Sequence, residues 1–194
     1  MCGRYYFDHE TAEDVEALTG RSITGSDILS EGTDIVPSIK ALVIRGESSA
    51  LLPEAMYWGF PAPAGSRLLI NARSETALEK PTFSDSVLHR RCVIPAKWFY
   101  EWDGNKNKAV FLLEGQRTIY LAGFYNFLED ENRYVILTTS ANESVIETHD
   151  RMPLMIPEKN IRDWLFDNSA VRDFLSLEQP MLKKNQEYEQ IRFF

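Results

Sequence analysis

The 194-residue chain is poor in cysteine: Cys2 and Cys92 are the only two, far apart in sequence, with no Cys-x-x-Cys pair. That excludes a disulfide framework and fits a reducing compartment. The three histidines and two cysteines nowhere stand at ligand spacing, so no metal site is expected. There is no G-x-x-x-x-G-K loop, no G-x-G-x-x-G, no G-x-S-x-G and no H-E-x-x-H. A phosphate cradle, a dinucleotide site, a serine-hydrolase elbow and a zinc protease are thereby set aside, and no cofactor is expected. Apolar runs such as "AVFLLE" are too short to span a bilayer, and no basic patch precedes an apolar core at the start. No membrane partner and no signal peptide are expected, and the location expected is cytoplasmic. Positive charge is also in deficit, with 21 Lys and Arg against 29 Asp and Glu and a net charge of −8. Coating of nucleic acid by bulk attraction is disfavoured, though a local basic groove is not.

What is present is apolar and aromatic: 44% hydrophobic and 12% aromatic residues, enough for a compact core. "RYYFD" reads as a strand. "HETAEDVEALTG" reads as a helix, with Ala12, Val15 and Leu18 on one side, acids in the first turn and Gly20 as a stop. "RSITGSDILSEGTD" and "PAPAGS" read as loops. "ALVIR", "EAMYWGF", "RCVIP", "KWFYEW", "AVFLLE", "TIYLAGFYNFL" and "YVILTTS" read as strands, and "TIYLAGFYNFL" is apolar on both faces, hence covered on both. "SANESVIETH" carries a capping-box pattern from Ser140 to Glu143 and predicts a helix ending near His149. "PEKNIRDWLFD" and "AVRDFLSL" predict further helices, followed by a polar tail. With no repeat or linker, residues 1–194 are expected to form a single monomeric α+β domain, with a mostly antiparallel, curled, barrel-like β core and peripheral helices.

A few polar residues stand in contexts that suggest chemistry. Cys2 directly follows Met1. If Met1 is removed, Cys2 offers an amine and a thiol on adjacent carbons, which an internal cysteine cannot. Strand alternation in "KWFYEW" puts Lys97, Phe99 and Glu101 on one face. A carboxylate beside Phe99 suits proton exchange near neutrality, although a lone glutamate reads as readily as an edge-strand residue facing solvent. His149, at a helix C-terminus beside Asp150, is expected to favour imidazolium and donate a proton, or simply to cap the helix. Asn71 and Arg73 alternate onto one face of "NARSE", an amide beside a guanidinium that matches a phosphate. Alone, that segment reads equally as a strand end closing a turn. Thr138 is most simply a β-branched strand residue, and Arg90, Arg91 and Arg151 are surface charges unless they ring the site.

Six segments, in order, resemble one family: "MCGRY", "WG" at 58–59, "NARSET" at 71–76, "RCVIPAKWFYEW" at 91–102, "TTSAN" at 138–142 and "HDRMP" at 149–153. They are similar to the motifs of the SOS-response-associated peptidase (SRAP) family. Two departures stand out: Trp98 replaces the family's usual glycine, and the stretch after Gly59 is shortened. The resemblance implies a curled barrel and an N-terminal cysteine exposed by loss of methionine. It also implies covalent capture of abasic sites in single-stranded DNA through a thiazolidine. It carries over Cys2 as nucleophile, Asn71, Glu101 and His149 as the polar groups around it, and Arg73 as a DNA contact. Arg4, Arg90, Arg91, Thr138 and Arg151 are the further candidates for DNA contact, with Trp58 and Phe60 for stacking on bases. A cysteine amidohydrolase that processes its own Met1–Cys2 bond, with possible lyase-type chemistry, and a non-covalent binder of single-stranded or modified DNA are the alternatives.

Overall fold

The computed structural model describes residues 2–23, 32–62 and 67–186. Met1, the centre of the 21–34 loop, most of the "PAPAGS" stretch and the tail from residue 187 lie outside the described residues. β1 (Tyr5–Phe7) is followed by α1 (His9–Thr19), β2 (Thr33–Ile35) and the hairpin of β3 (Lys40–Glu47) with β4 (Ala50–Trp58). β5 (Phe60–Pro61), β6 (Leu68–Leu69) and β7 (Asn71–Arg73) are short, and α2 (Ser84–His89) leads into the strand-rich middle. There lie β8 (Arg91–Ala96), β9 (Trp98–Trp102), β10 (Lys108–Leu112), β11 (Ile119–Leu128) and β12 (Glu131–Ser140). β13 (Arg151–Pro153), α3 (Ile161–Phe166), α4 (Val171–Leu175) and β14 (Lys183–Gln186) follow.

Five strands close into a barrel in the order β11-β8-β3-β4-β12, with β12 returning to β11. Closure satisfies backbone groups that an open edge would expose. All neighbours in the ring are antiparallel except β4 and β12, which run parallel with Trp58 opposite Tyr134. Gly123 shows how tightly the ring is drawn: a Cβ there would lie 2.7 Å from the Val135 carbonyl oxygen, so only glycine fits. β11 is buried from Ile119 to Phe124 without alternation, as its doubly apolar sequence requires. A second sheet, β14-β10-β9-β1-β2, lies alongside. The chain passes from barrel to second sheet at Lys97, between β8 and β9. A hydrogen bond of 2.8 Å shared by the Tyr5 and Tyr134 hydroxyls joins the two layers in the core.

α1 forms where the sequence places it. Asp8 caps it by accepting from the Thr11 N–H (3.0 Å), Val15 is buried, and Gly20 ends it at φ 65°, in the left-handed region. Thr33 and Asp34, at the end of the stretch read as loop, instead belong to β2 and pair with β1. The helix expected over 140–149 is not there. Ser140 is still in β12, opposite Arg151, and cannot act as a cap. Asn142 takes that role, its Oδ1 accepting from the Ser144 N–H (3.1 Å), and the chain makes two successive turns, Ile146 N–H to the Asn142 carbonyl (3.0 Å) and His149 N–H to the Val145 carbonyl (3.0 Å), rather than a continuous helix. Three β-branched residues, Val145, Ile146 and Thr148, disfavour any longer helix.

The consequence for function lies in β12. Its C-terminal half is flanked by β7 on one side (Thr138 opposite Arg73) and β13 on the other (Ser140 opposite Arg151). The "NARSE" and "HDRMP" segments are thus brought together across a single strand.

Candidate functional site

Cys2 is fully buried just ahead of β1, with its thiol directed at the Arg4 carbonyl (Sγ to O, 3.9 Å). The Asn71 side-chain Nδ2 donates to the Cys2 carbonyl at 2.8 Å, fixing the residue by its backbone. Asn71 is itself held by its strand: β7 runs parallel to β12, and the indole Nε1 of Trp58 donates to the Ile70 carbonyl just before it (2.9 Å). Burial raises the Cys2 thiol well above its ordinary range, and the charge of Glu101 raises it further. At neutral pH the sulfur is therefore a protonated thiol.

Glu101 is on β9, opposite Ala109, and is 2% exposed. Alternation along β9 puts Phe99 and Glu101 on one face, and both are buried. Burial pushes it up to about 7, and the charge of Asp150 adds to the effect. A carboxyl at that value both gives and takes protons near neutrality. His149 supplies an imidazole from the turn before β13. Its Nδ1 accepts from the Arg151 backbone N–H (3.0 Å) and lies 2.9 Å from an Asp150 carboxylate oxygen. The expectation of an imidazolium is corrected: burial lowers His149 below its ordinary value, and no helix C-terminus stands behind it to oppose the shift. With Nδ1 accepting from that N–H, a neutral ring would carry its proton on Nε2.

Cys2, Asn71, Glu101 and the His149 turn are therefore one cluster. The DNA-contact candidates divide. Arg73 is exposed on β7, next to the cluster. Arg4 is partly exposed, lies over the Trp102 ring (5.4 Å to its centroid) and pairs with Asp34 at 3.4 Å. The others are placed elsewhere or otherwise occupied. Trp58 and Phe60 are 0% and 1% exposed, Trp58 packed against Tyr5 and Tyr134 and Phe60 against Phe124, so neither offers a face to a base. Thr138 is fully buried, its hydroxyl donating to the Ala72 carbonyl. Arg91 is buried between the ends of α2 and α3, donating to the carbonyls of Val87 (3.1 Å), Leu88, Trp164 and Leu165 and to Asn168 Oδ1 (2.8 Å). It neutralises helix C-termini rather than phosphates. Arg90 points the other way, into Asp85, Ser86 and the Tyr125 carbonyl. Arg151 is committed to Glu75 and the Thr138 carbonyl.

Glu75 and Asp34 are site residues that sequence reasoning passed over. Glu75 had a signal, since residues 71, 73 and 75 share a face if "NARSE" is extended. Asp34 had none, because its contact with Arg4 depends on the β1–β2 pairing. Among the described residues no three His, Cys, Asp or Glu side chains stand where they could hold a metal ion, and no helix is long and apolar enough to cross a membrane.

Beside a closed barrel the fold thus gathers a buried near-terminal cysteine, an amide that holds its carbonyl, a buried carboxyl and an imidazole, with arginines at the margin. The chain belongs to the SOS response associated peptidase (SRAP) family, whose model matches residues 1–192. It is 31% identical over 195 residues to the abasic site processing protein YoqW of Bacillus subtilis, covering 93% of this chain and 87% of that one. It is 27% identical to the abasic site processing protein YedK of Escherichia coli over 85% of this chain and 79% of the relative. Crystal structures of proteins from Bordetella bronchiseptica (TM-score 0.78, 23% identity, 96% of this chain and all of that one) and Bacteroides thetaiotaomicron (0.78, 17%, 97% and 93%) share the fold.

Proposed function

We propose that this protein processes abasic sites in single-stranded DNA by forming a covalent thiazolidine through Cys2 after Met1 is removed. The observation that carries the proposal is the 2.8 Å hydrogen bond from Asn71 to the Cys2 carbonyl. It holds the one residue that can present sulfur and nitrogen together, and it does so by an atom that condensation leaves untouched. The names of the YoqW and YedK relatives support the substrate class.

The open form of an abasic sugar carries an aldehyde. The Cys2 amine adds to it, the carbinolamine loses water, and an imine results. The thiol sulfur then bonds to the imine carbon, the thiol proton leaves and the nitrogen gains one. The balance is aldehyde plus aminothiol giving a five-membered ring plus one water. Because the thiol is protonated in its buried site, a base must take its proton as the C–S bond forms. Glu101, poised at about 7, first carries the amine proton to the departing hydroxyl, and then takes the thiol proton and hands it to the ring nitrogen. His149, neutral with its proton on Nε2, donates to the sugar oxygen as the ring opens. Asn71 keeps Cys2 in line. Each proton-transfer role supplies about 10²- to 10⁴-fold, and holding both nucleophiles at one aldehyde adds a proximity term. Arg73 and Arg4 are the cations that would meet the flanking phosphates.

The test is intact mass. The purified protein should have lost Met1, and incubation with an abasic single-stranded oligonucleotide followed by boiling should leave a protein–DNA adduct lighter than the sum by one water. Cys2→Ser should leave none. A peptidase acting by hydrolysis gives no adduct, and a non-covalent binder gives one that boiling abolishes. A heat-stable adduct formed as readily by Cys2→Ser as by the parent overturns the proposal.

A further inference from the structure

We propose that Glu75 is a positioning residue that sets the tautomer of His149 through Arg151, an inference that rests on the cross-linking reading of the site. The Arg151 guanidinium grips the Glu75 carboxylate with two parallel bonds, Nη1 to Oε1 at 2.7 Å and Nη2 to Oε2 at 2.8 Å. Nη2 also donates to the Thr138 carbonyl at 2.6 Å, and the Arg151 side chain is only 9% exposed. A planar fork held on three acceptors through its two Nη atoms has one orientation available. That orientation fixes the start of β13, whose first backbone N–H, from Arg151 itself, donates to His149 Nδ1 at 3.0 Å. A ring nitrogen that accepts carries no proton, so the neutral ring presents Nε2–H.

Asp150 makes the arrangement necessary. Its Oδ1 is 2.9 Å from the same Nδ1 and competes by inviting a proton there. With Nδ1 protonated, a neutral ring would turn Nε2 into an acceptor and lose its donor to the sugar oxygen. The Arg151 N–H decides between the two, and Glu75 holds it in place. Because Glu75 follows Asn71 and Arg73 in the same segment, one ion pair also ties the strand that grips Cys2 to the turn that carries the imidazole.

The test uses the full chain, ¹⁵N-labelled, with the His149 ring signals assigned by their loss in His149→Gln. The parent should show the Nε2–H tautomer. Glu75→Ala should show a mixed or inverted pattern, and its single-turnover cross-linking at saturating abasic oligonucleotide should fall about 10- to 100-fold with little change in affinity. Glu75→Gln, which keeps one acceptor and is the gentler change for folding, should lie between. An unchanged ring pattern in both variants overturns the proposal whatever the rate does, and so does an altered pattern with an unaltered rate. Should the parent form no heat-stable adduct, the cross-linking reading fails while the ring signals still decide the tautomer.

Discussion

Glu101→Gln exposes the electrostatics of the site to direct measurement, because the two side chains have the same shape and only one titrates. The carboxyl's ordinary value is 4.5, and burial pushes it up to about 7. At about 1.36 kcal/mol per unit, ionising Glu101 inside the fold costs about 3 kcal/mol. Between pH 4.5 and 7 the folded protein retains a proton that the unfolded chain has released, so this group's contribution to stability is whole below 4.5 and is lost as pH rises through 7. The glutamine variant lacks that dependence, while every other titrating group is common to both proteins. Urea denaturation at intervals from pH 4.5 to 8.5 should therefore show the stability difference shifting in the variant's favour by about 3 kcal/mol across the range. The same variant should cross-link about a hundredfold or more slowly at neutral pH. Parallel stability curves, or curves that diverge in the opposite sense, would refute the claim that desolvation dominates at this carboxyl.

Arg73→Ala should weaken binding to single-stranded DNA and reduce the slope of log affinity against log salt by about 0.7, the share of one phosphate contact. Filter binding across a salt series in a Cys2→Ser background measures it. Trp58→Ala should cost about 3–5 kcal/mol in urea denaturation, because it empties a fully buried site and releases the Ile70 carbonyl. DNA affinity of the folded fraction should change far less than stability does. Arg91→Met should lose about 3 kcal/mol or more, since the carbonyls of two helix ends are left without a donor, and its salt slope should match the parent's.

Local rules carried much of the reading. Alternation along "KWFYEW" placed Glu101 on one face with Phe99, and the acids and glycine of α1 marked its ends correctly. The unbroken apolar face of "TIYLAGFYNFL" announced a strand covered on both sides. The errors share a cause. In "HRRC" adjacent arginines alternate, so one faces solvent and the other enters the core, and nothing in the pair says which. Arg91 is inward because α2 and α3 place their carbonyls there. Trp58 is inward because β4 pairs in parallel with β12, a partner far away in the chain. The protonation of His149 was misjudged because a helix was expected where β12 continues through Ser140 and only separate turns follow.

The amino-acid sequence by itself determined the chemistry on offer: a cysteine at position 2, an amide, a carboxyl, an imidazole and arginines in six ordered motifs. It also determined the strand-rich character of the chain, since both depend on residue type and short spacing. Only the closed barrel decided which of those groups meet, which are desolvated and which are spent on structure. Burial, pKa and ion pairing arise between segments far apart in sequence, and here they converge on one strand, β12, with Asn71 on one flank and the His149 turn on the other.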